Sequence, residues 1–212
     1  MDKISDIRKD YRLRSFSEKD AAPGPFEQFS SWWKEALASN IDEVNAMTLA
    51  TADPAGRPSA RIVLLKGLSE SGFEFYSNYE SHKAADMDAN KNVALVFFWK
   101  ELERQIRIEG TVEKTTEDKS DEYFNSRPLQ SRIGAWASPQ SSEIPSRKEL
   151  EEKVAKVLQK FEGKEVTRPP FWGGYLVKPV RIEFWQGRAS RLHDRIEYNS
   201  VNGLWEKRRL AP

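Results

Sequence analysis

The sequence contains no cysteine, so neither a disulfide bond nor a thiolate metal site is available to it. Only two histidines occur among the 212 residues, which leaves little for a histidine metal cluster. No apolar run approaches the roughly 20 residues that a membrane-spanning helix needs. Residues 1–17 are charged and lack the apolar core of a signal peptide. We therefore expect a protein of the cytoplasm that holds no metal and does not enter a membrane.

An excess of charge of one sign is also absent, since the formal net charge is +1. This balance argues against a general binder of nucleic acid. Charged residues make up 32% and hydrophobic residues 38%, which predicts a well-solvated surface around a modest core. The length suits one domain. Residues 1–25 are polar and end in a Pro-Gly-Pro sequence, so we predict an N-terminal arm over 1–25 and a single domain over 26–212.

Hydrophobic periodicity predicts that strands dominate and that helices are inserted between them. No Gly-rich nucleotide-binding motif of the Rossmann or P-loop type occurs. The order of elements is not a regular β-α-β alternation, so we predict a mainly β fold, an antiparallel barrel with flanking helices. Asn202-Gly203 is a strong hairpin signal. The predicted strands are 46–53, 59–66, 73–78, 92–99, 104–114, 174–186, 191–199 and 204–210, and the predicted helices are 26–39, 81–90, 117–126, 131–137 and 146–161.

A first group of chemically capable residues lies near the C-terminus. If 191–199 is a strand, Arg191, His193 and Arg195 share one face, and three such groups together favour an anionic or electron-rich partner. A solvated outer face of the sheet explains the same pattern equally well. Trp185 lies in the preceding apolar strand, where a tryptophan is more often a core residue than a cofactor contact.

A second group consists of Arg61 and Lys66, which bracket four apolar residues, together with Ser81, His82 and Lys83. Apolar residues on both faces of the 61–66 strand indicate that it is covered on both sides. A charge buried at such a strand end is costly, and a phosphate would satisfy it. Two cations with their heads in solvent are the alternative. Hydroxyl, imidazole and ammonium groups at the predicted start of a helix also suit an anion, although serine caps many helices.

A third group combines the Tyr123 hydroxyl, the Arg127 guanidinium and the Ser131 hydroxyl. Together they would form a suitable cradle for a phosphate monoester. The alternative is an ordinary helix end, where an arginine is favourable beside the negative end of the dipole. Gln140 and Ser141 lie in a polar loop in which such side chains are common. These patterns on their own indicate an aromatic-rich barrel that binds anions.

The same segments, taken together, resemble the pyridoxine/pyridoxamine 5'-phosphate oxidase family. The similarity runs in consistent order from about residue 8 to the C-terminus, and the match over residues 182–195 is the most specific. The segments that carry it are Ile182-Glu-Phe-Trp-Gln-Gly-Arg-Ala-Ser-Arg-Leu-His-Asp-Arg195, Arg61-Ile-Val-Leu-Leu-Lys66, Phe75-Tyr-Ser-Asn78, Leu102-Glu-Arg-Gln105, Ser126-Arg-Pro128, Ile133-Gly-Ala-Trp136 and Arg209-Leu-Ala-Pro212.

The resemblance implies an FMN-binding split β-barrel that works as a homodimer, with the flavin bound between subunits. It implies oxidation of pyridoxine or pyridoxamine 5'-phosphate to pyridoxal 5'-phosphate by oxygen. Arg191 and His193 would lie against the substrate ring as the catalytic candidates. The implied substrate contacts are Arg8, Tyr11, Lys66, Tyr123, Arg127, Ser131, Arg191 and His193. The implied FMN contacts are Arg61, Ile62, Val63, Leu64, Leu65, Lys66, Tyr76, Ser77, His82, Lys83, Gln105, Gln140, Ser141, Trp185 and Arg195.

One position departs from the family pattern. Relatives usually carry arginine where this chain has His82, and a neutral imidazole offers fewer donors than a guanidinium group. We therefore expect Lys83, Arg61 and Ser141 to dominate binding of the FMN phosphate. Two other functions stay open at this point: a split-barrel protein that binds FMN or pyridoxal phosphate as a carrier or sensor, and a flavin reductase supplied by NAD(P)H. The presence of both Arg191 and His193 favours the oxidase over the carrier.

Overall fold

The computed structural model describes Ile4 and residues 10–212; Arg8, one of the predicted substrate contacts, lies outside the described residues. The helices are α1 (Pro25–Leu37), α2 (His82–Ala89), α3 (Glu117–Ser126), α4 (Leu129–Ala137) and α5 (Arg147–Lys160). The strands are β1 (Ala46–Ala52), β2 (Pro58–Leu64), β3 (Gly67–Ser69), β4 (Gly72–Asn78), β5 (Asn92–Trp99), β6 (Arg104–Lys114), β7 (Trp172–Gln186), β8 (Asp194–Val201) and β9 (Leu204–Leu210).

The strands form one sheet with the order β2-β1-β5-β6-β7-β4-β3, and β8 and β9 continue it from β7. The long strand β7 has three partners, which are β6, β4 and β8. Its first part pairs antiparallel with β4, in a register that sets Tyr76 opposite Gly174, and its last part pairs antiparallel with β8, where Trp185 lies opposite Arg195. The mainly antiparallel sheet with flanking helices confirms the predicted fold class. No helix in the described part of the chain is long and apolar enough to cross a membrane.

The chain forms two compact units. We call the unit made of residues up to Leu49, Ala94–Gly110 and Pro179–Pro212 the terminal unit. The unit made of Ala50–Val93 and Thr111–Lys178 is the central unit. The predicted division into an arm over 1–25 and one domain over 26–212 stays a prediction.

Aromatic packing builds the core of the terminal unit. Helix α1 begins at Pro25, which suits a first helical position, and it buries Phe29 and Trp32 on one face. The Phe29 ring lies 5.4 Å from that of Phe97, and the Trp32 ring lies 5.3 Å from that of Phe184. Such edge-to-face contacts add to the hydrophobic gain of burying the rings. The helix predicted from apolar spacing is thereby confirmed.

A separate cluster holds the helices of the central unit. Phe124, Ile133, Val166 and Trp172 are buried together and bring α3, α4 and the start of β7 into contact. The hydroxyl of Ser146 accepts the backbone N–H of Glu149 and caps α5, as the sequence predicted. This cluster fixes the Trp172 ring, which borders the cavity described below.

The structure corrects the strand predicted over 191–199. Strand β8 begins only at Asp194, and Ala189–Arg191 forms a 3-10 turn in which Ser190 and Arg191 have φ values of 56° and 62°. This left-handed backbone interrupts the extended chain. The period-two argument that placed Arg191 and His193 on one strand face was therefore wrong. The Asn202-Gly203 hairpin is confirmed, since both residues have the positive φ of a two-residue turn.

The strand predicted over 59–66 also differs in one respect. Strand β2 ends at Leu64 and lies at one end of the strand order. The Ile62 side chain is 64% exposed, so the described residues of this chain cover only one face of the strand. The prediction that both faces are covered is therefore wrong for the chain taken by itself.

Candidate functional site

A cavity of about 320 Å³ opens in the central unit. Its walls come from β2, β4, α2, the end of α3, the loop after α4 and the first residue of β7. All the residues that line it except Trp172 were predicted as cofactor or substrate contacts. They are Ile62, Val63, Leu64, Lys66, Tyr76, Ser77, Lys83, Tyr123, Arg127, Gln140 and Trp172.

Lys83 carries positive charge into one part of this cavity. Its Nζ donates to Ser77 Oγ at 3.0 Å, to Ser81 Oγ at 3.1 Å and to Gln140 Oε1 at 2.7 Å, and all three acceptors are neutral. Burial, followed by repulsion from Arg61, lowers the pKa of Lys83 to about 8. A bound anion would oppose both effects, because it favours the charged ammonium. Ser81, predicted as a helix cap, accepts from Lys83 instead of capping α2 through its side chain.

Arg61 is held beside this site by a buried carboxylate. Its Nη1 donates to Thr51 Oγ1 at 2.7 Å, and its Nη2 lies 3.9 Å from Asp86 Oδ2. Thr51 Oγ1 donates in turn to Asp86 Oδ2 at 2.6 Å. His82 is largely exposed, with Nε2 at 3.8 Å from Asp86 Oδ1. Arg61 and His82 do not line the cavity, although the charge of Arg61 reaches Lys83.

Aromatic rings and a second cation form another part of the cavity. The rings of Tyr76 and Tyr123 stack with centroids 4.0 Å apart, and the Trp172 ring lies 5.8 Å from that of Tyr76. The Arg127 guanidinium lies 4.5 Å from the Trp172 ring centroid, and Lys66 Nζ lies 6.0 Å from that of Tyr123. Burial raises the pKa of Tyr76 to about 12, so its hydroxyl stays neutral. This part suits a ligand that joins a flat ring to an anion.

The Arg127 guanidinium has an unused donor. Its Nη1 is buried and has no hydrogen-bond partner among the described residues. Burial also lowers the pKa of Arg127, which shows that its charge is poorly solvated. A buried donor without a partner costs about 1–3 kcal/mol. An anion in the cavity would remove that cost, so the position of Arg127 is suited to binding a phosphate group.

A second cluster of predicted residues lies in the terminal unit. The Trp185 and His193 rings have centroids 4.6 Å apart, and the Tyr11 ring lies 5.6 Å from Trp185 and 6.0 Å from His193. The backbone N–H of Arg188 donates to His193 Nδ1 at 3.1 Å, which places the proton of the neutral imidazole on Nε2. Burial, and then the charge of Arg191, lower the pKa of His193.

Arg195, on β8, is fixed by a buried carboxylate of the terminal unit. Its Nε and Nη2 donate to the two oxygens of Glu183 at 2.8 and 3.0 Å. This bidentate pair raises the pKa of Arg195. Arg107 Nη1 also donates to Glu183, at 3.3 Å. Gln105 lies two residues before Arg107 on β6 and is half-buried.

Comparison with known proteins identifies the family of this chain. Residues 33–161 match the family model described as pyridoxamine 5'-phosphate oxidase. The chain belongs to this family. Residues 172–212 match the model of the pyridoxine 5'-phosphate oxidase C-terminal dimerisation region, which supports the predicted homodimer. The resemblance inferred from the sequence is thereby confirmed.

Several members of the pyridoxamine 5'-phosphate oxidase family are similar over nearly the whole chain. The pyridoxine/pyridoxamine 5'-phosphate oxidase of Rubrobacter xylanophilus is 53% identical over 209 residues, which are 99% of this chain and 96% of the relative. That of Leptospira interrogans serogroup Icterohaemorrhagiae serovar copenhageni is 56% identical over 211 residues, which are 99% of each chain. Both chains therefore align with this one almost from end to end.

Solved structures support the same fold. PhzG from Burkholderia lata 383, in complex with tetrahydrophenazine-1-carboxylic acid, has a TM-score of 0.86 and 28% identity, and the match covers 92% of this chain and 95% of PhzG. An FMN binding protein related to pyridoxamine 5'-phosphate oxidase, from Nostoc punctiforme, has a TM-score of 0.70 and 16% identity over 90% of this chain and 100% of its own. The second similarity concerns the fold alone, and it confirms the predicted split barrel.

Three further predicted contacts, beyond those placed above, also lie outside the lining of the cavity. Leu65 is buried in the core. Ser131 is half-buried in the first turn of α4, and Ser141 is exposed in a left-handed turn with φ 73°. Their roles stay predictions. Trp172 was not predicted, because the strand was expected to begin at residue 174, whereas β7 begins at Trp172.

The binding of FMN, the cofactor expected for the family, should depend on pH through Lys83. Lys83 in the free protein loses its proton above its lowered pKa of about 8, whereas a phosphate dianion requires the charged ammonium. The Kd for FMN should therefore be level near pH 7 and rise by up to about tenfold per pH unit above about pH 8. Quenching of flavin fluorescence by the apoprotein measures this.

Lys83→Met is the control for this pH dependence. It should bind FMN more weakly near pH 7 and show no rise from about pH 8 upwards, because the titrating group is gone. If the wild-type Kd stays constant from about pH 7 to about pH 9.5, Lys83 does not hold the phosphate.

Proposed function

We propose that this chain is an FMN-dependent oxidase that converts pyridoxine 5'-phosphate or pyridoxamine 5'-phosphate to pyridoxal 5'-phosphate. Oxygen is the final electron acceptor, hydrogen peroxide is released, and the amine substrate also yields ammonia. The observation that carries the proposal is the cavity of the central unit, which offers Lys83 and Arg127 as separate cations beside stacked rings. Relatives that are 53–56% identical over the whole chain are named as this oxidase.

The residues around Lys83 fit the phosphate of FMN. Lys83, Ser77 and Gln140 already form one hydrogen-bond network, and the depressed pKa of Lys83 favours a bound anion. We assign the FMN contacts as predicted, with Arg61 held in place by Asp86. Gln105, Trp185 and Arg195 stay predicted contacts. The family resemblance places the flavin between the subunits of a homodimer. FMN, when bound, supplies the redox chemistry by accepting hydride from the substrate and passing electrons to oxygen.

The substrate phosphate is assigned to the aromatic part of the cavity. Arg127 would direct its unpartnered Nη1 to a phosphate oxygen, and Lys66 and the Tyr123 hydroxyl would complete the contacts. Ser131 joins this set as a predicted contact. Arg127 packs over the Trp172 ring, and this contact favours one orientation of the guanidinium before the substrate arrives. Such pre-organisation lowers the cost of ordering the donor on binding.

His193 and Arg191 are assigned to the substrate ring. The backbone of Arg188 keeps the proton of neutral His193 on Nε2, so this atom is a hydrogen-bond donor near neutral pH. Arg191 supplies a fixed positive charge in its left-handed turn. Their proposed role is to orient the substrate and to stabilise charge that develops as hydride leaves. Tyr11, which packs on the same rings, is assigned a substrate contact, and Arg8 stays a prediction.

The oxidase proposal is tested by turnover. The purified protein, saturated with FMN, is mixed in air with pyridoxamine 5'-phosphate, and pyridoxal 5'-phosphate and hydrogen peroxide are both quantified. The two products should form in equal amounts, and pyridoxamine without its phosphate should be a very poor substrate. Binding of FMN with no aldehyde formed would indicate a carrier or sensor instead.

The predicted cytoplasmic location stays a prediction, and cell fractionation tests it.

Replacing Arg127 with alanine should weaken substrate binding far more than FMN binding. Loss of one charge-assisted phosphate contact costs about 1.5–3 kcal/mol, which is roughly 10- to 150-fold in affinity. Equilibrium titration of the FMN-loaded variant with pyridoxal 5'-phosphate measures the change. Arg147→Ala removes the same charge from the exposed surface of α5 and should leave the affinity unchanged. Equal affinities in the two variants would exclude Arg127 from the phosphate site.

Replacing Arg191 or His193 with alanine should slow flavin reduction while oxygen reoxidation and FMN content stay near normal. Anaerobic stopped-flow mixing with pyridoxamine 5'-phosphate follows the bleaching of the flavin alone. Because the pKa of His193 is lowered, its imidazole stays neutral further into the acidic range than that of an ordinary histidine, whose pKa is about 6.5. If the neutral imidazole is required, wild-type activity should fall only at pH values below that ordinary value. His193→Ala should abolish that acidic limb. Unchanged reduction rates in both variants would remove these residues from the site.

A further inference from the structure

Glu103 is a buried carboxylate that the assignments above do not use. It is 3% exposed and follows the 3-10 turn Lys100–Leu102, with a left-handed backbone at φ 53°. A charged group buried to this extent is costly unless hydrogen bonds satisfy it. A glutamate is also an unfavourable residue for this backbone conformation. Both costs indicate that the side chain is held there by specific partners.

The partners include the backbone of the N-terminal arm. Glu103 Oε2 accepts the N–H of Arg12 at 2.9 Å and the N–H of Leu13 at 3.1 Å. Consecutive backbone donors on one carboxylate oxygen fix both the position and the direction of the chain at this point. The residue immediately before them is Tyr11. The backbone next to Tyr11 is therefore held by a residue about 90 positions further along the sequence.

Gly187 leaves the space that the Tyr11 side chain occupies. Its backbone N–H donates to the carbonyl oxygen of Glu103 at 2.7 Å. A Cβ atom on residue 187 would lie 2.7 Å from Tyr11 Cγ and 2.8 Å from Tyr11 Cβ, closer than carbon atoms approach. Because both atoms are close to the backbone, the arm would have to move. Only a glycine leaves room for Tyr11 against the rings of Trp185 and His193.

We propose that Glu103 is a positioning residue, whose carboxylate anchors the N-terminal arm and so holds the Tyr11 ring against Trp185 and His193. The proposal rests on the proposed function in one respect, that His193 and Tyr11 contact the substrate. Without the anchor, the arm should leave the rings and the substrate should be held less tightly. The flavin contacts of the central unit should be unaffected.

The first test does not depend on activity. Glu103→Gly removes the carboxylate and relieves the left-handed backbone, so no strain is added. Limited trypsin digestion of the FMN-loaded protein, followed by mass spectrometry, should show cleavage after Arg12 or Arg14 roughly tenfold faster than in the wild type. Glu43→Gly is the matched control, since Glu43 is an exposed glutamate in the same conformation, with φ 48°. Its cleavage rate at the arm should equal that of the wild type.

The second test asks whether the carboxylate acts through Tyr11. Glu103→Gly and Tyr11→Ala should each raise KM for pyridoxamine 5'-phosphate, by roughly tenfold, with a smaller effect on kcat. The double variant should be no worse than the single ones, because the second change removes nothing further. Glu103→Gln keeps an oxygen acceptor and should restore most of the arm protection and most of KM. Gly187→Ala leaves the carboxylate intact and should still release the arm.

An arm cleaved at the wild-type rate in Glu103→Gly would overturn the proposal. So would a KM effect in the double variant that is the product of the two single effects. Failure of the oxidase assignment is recognised separately, because the wild type would then form no pyridoxal 5'-phosphate while the cleavage rates would still report on the anchor. Should Glu103→Gly fail to fold, Glu103→Asn becomes the deciding variant, because asparagine tolerates the left-handed backbone and its side chain is one carbon too short to reach the arm. Wild-type cleavage there would equally overturn the proposal.

Discussion

The candidate site of the central unit depends on two cationic side chains, Lys83 and Arg127, that lack anionic hydrogen-bond partners among the described residues. Lys83 is held by three neutral oxygens, and Arg127 has a buried Nη1 without a partner among the described residues. The pKa of each is lowered by burial. Folding therefore places two cations where only a ligand can neutralise them well. Under the proposed function, phosphate groups on the cofactor and on the substrate would offset these costs.

In the terminal unit, two buried carboxylates have hydrogen-bond partners within the protein. Glu183 pairs with the side chains of Arg195 and Arg107, and Glu103 accepts backbone N–H groups of the arm. Each carboxylate is fully committed to holding another group in place. Under the proposed function, Lys83 and Arg127 would meet phosphate groups, whereas Glu183 and Glu103 would hold other groups of the protein in place.

Local patterns predicted much of this protein, and the misses have two causes. The alternation along β6 and the Asn202-Gly203 turn are short-range signals, and both were found. The left-handed turn before His193 was missed, since nothing in the Ser190-Arg191 sequence demands it. The role of Glu103 could not be predicted, because its partners lie about 90 residues away. Site residues were located through family motifs, while their contacts required the fold.

The central claim is that a phosphate on the flavin satisfies the charge at Lys83. The most direct measurement compares the affinities of the apoprotein for FMN and for riboflavin, which has the same ring and lacks the phosphate, by calorimetric titration near pH 7. Because charge-assisted hydrogen bonds contribute about 1.5–3 kcal/mol each, riboflavin should bind at least roughly 100-fold more weakly if two or more such contacts are lost. Equal affinities for FMN and riboflavin would contradict the account.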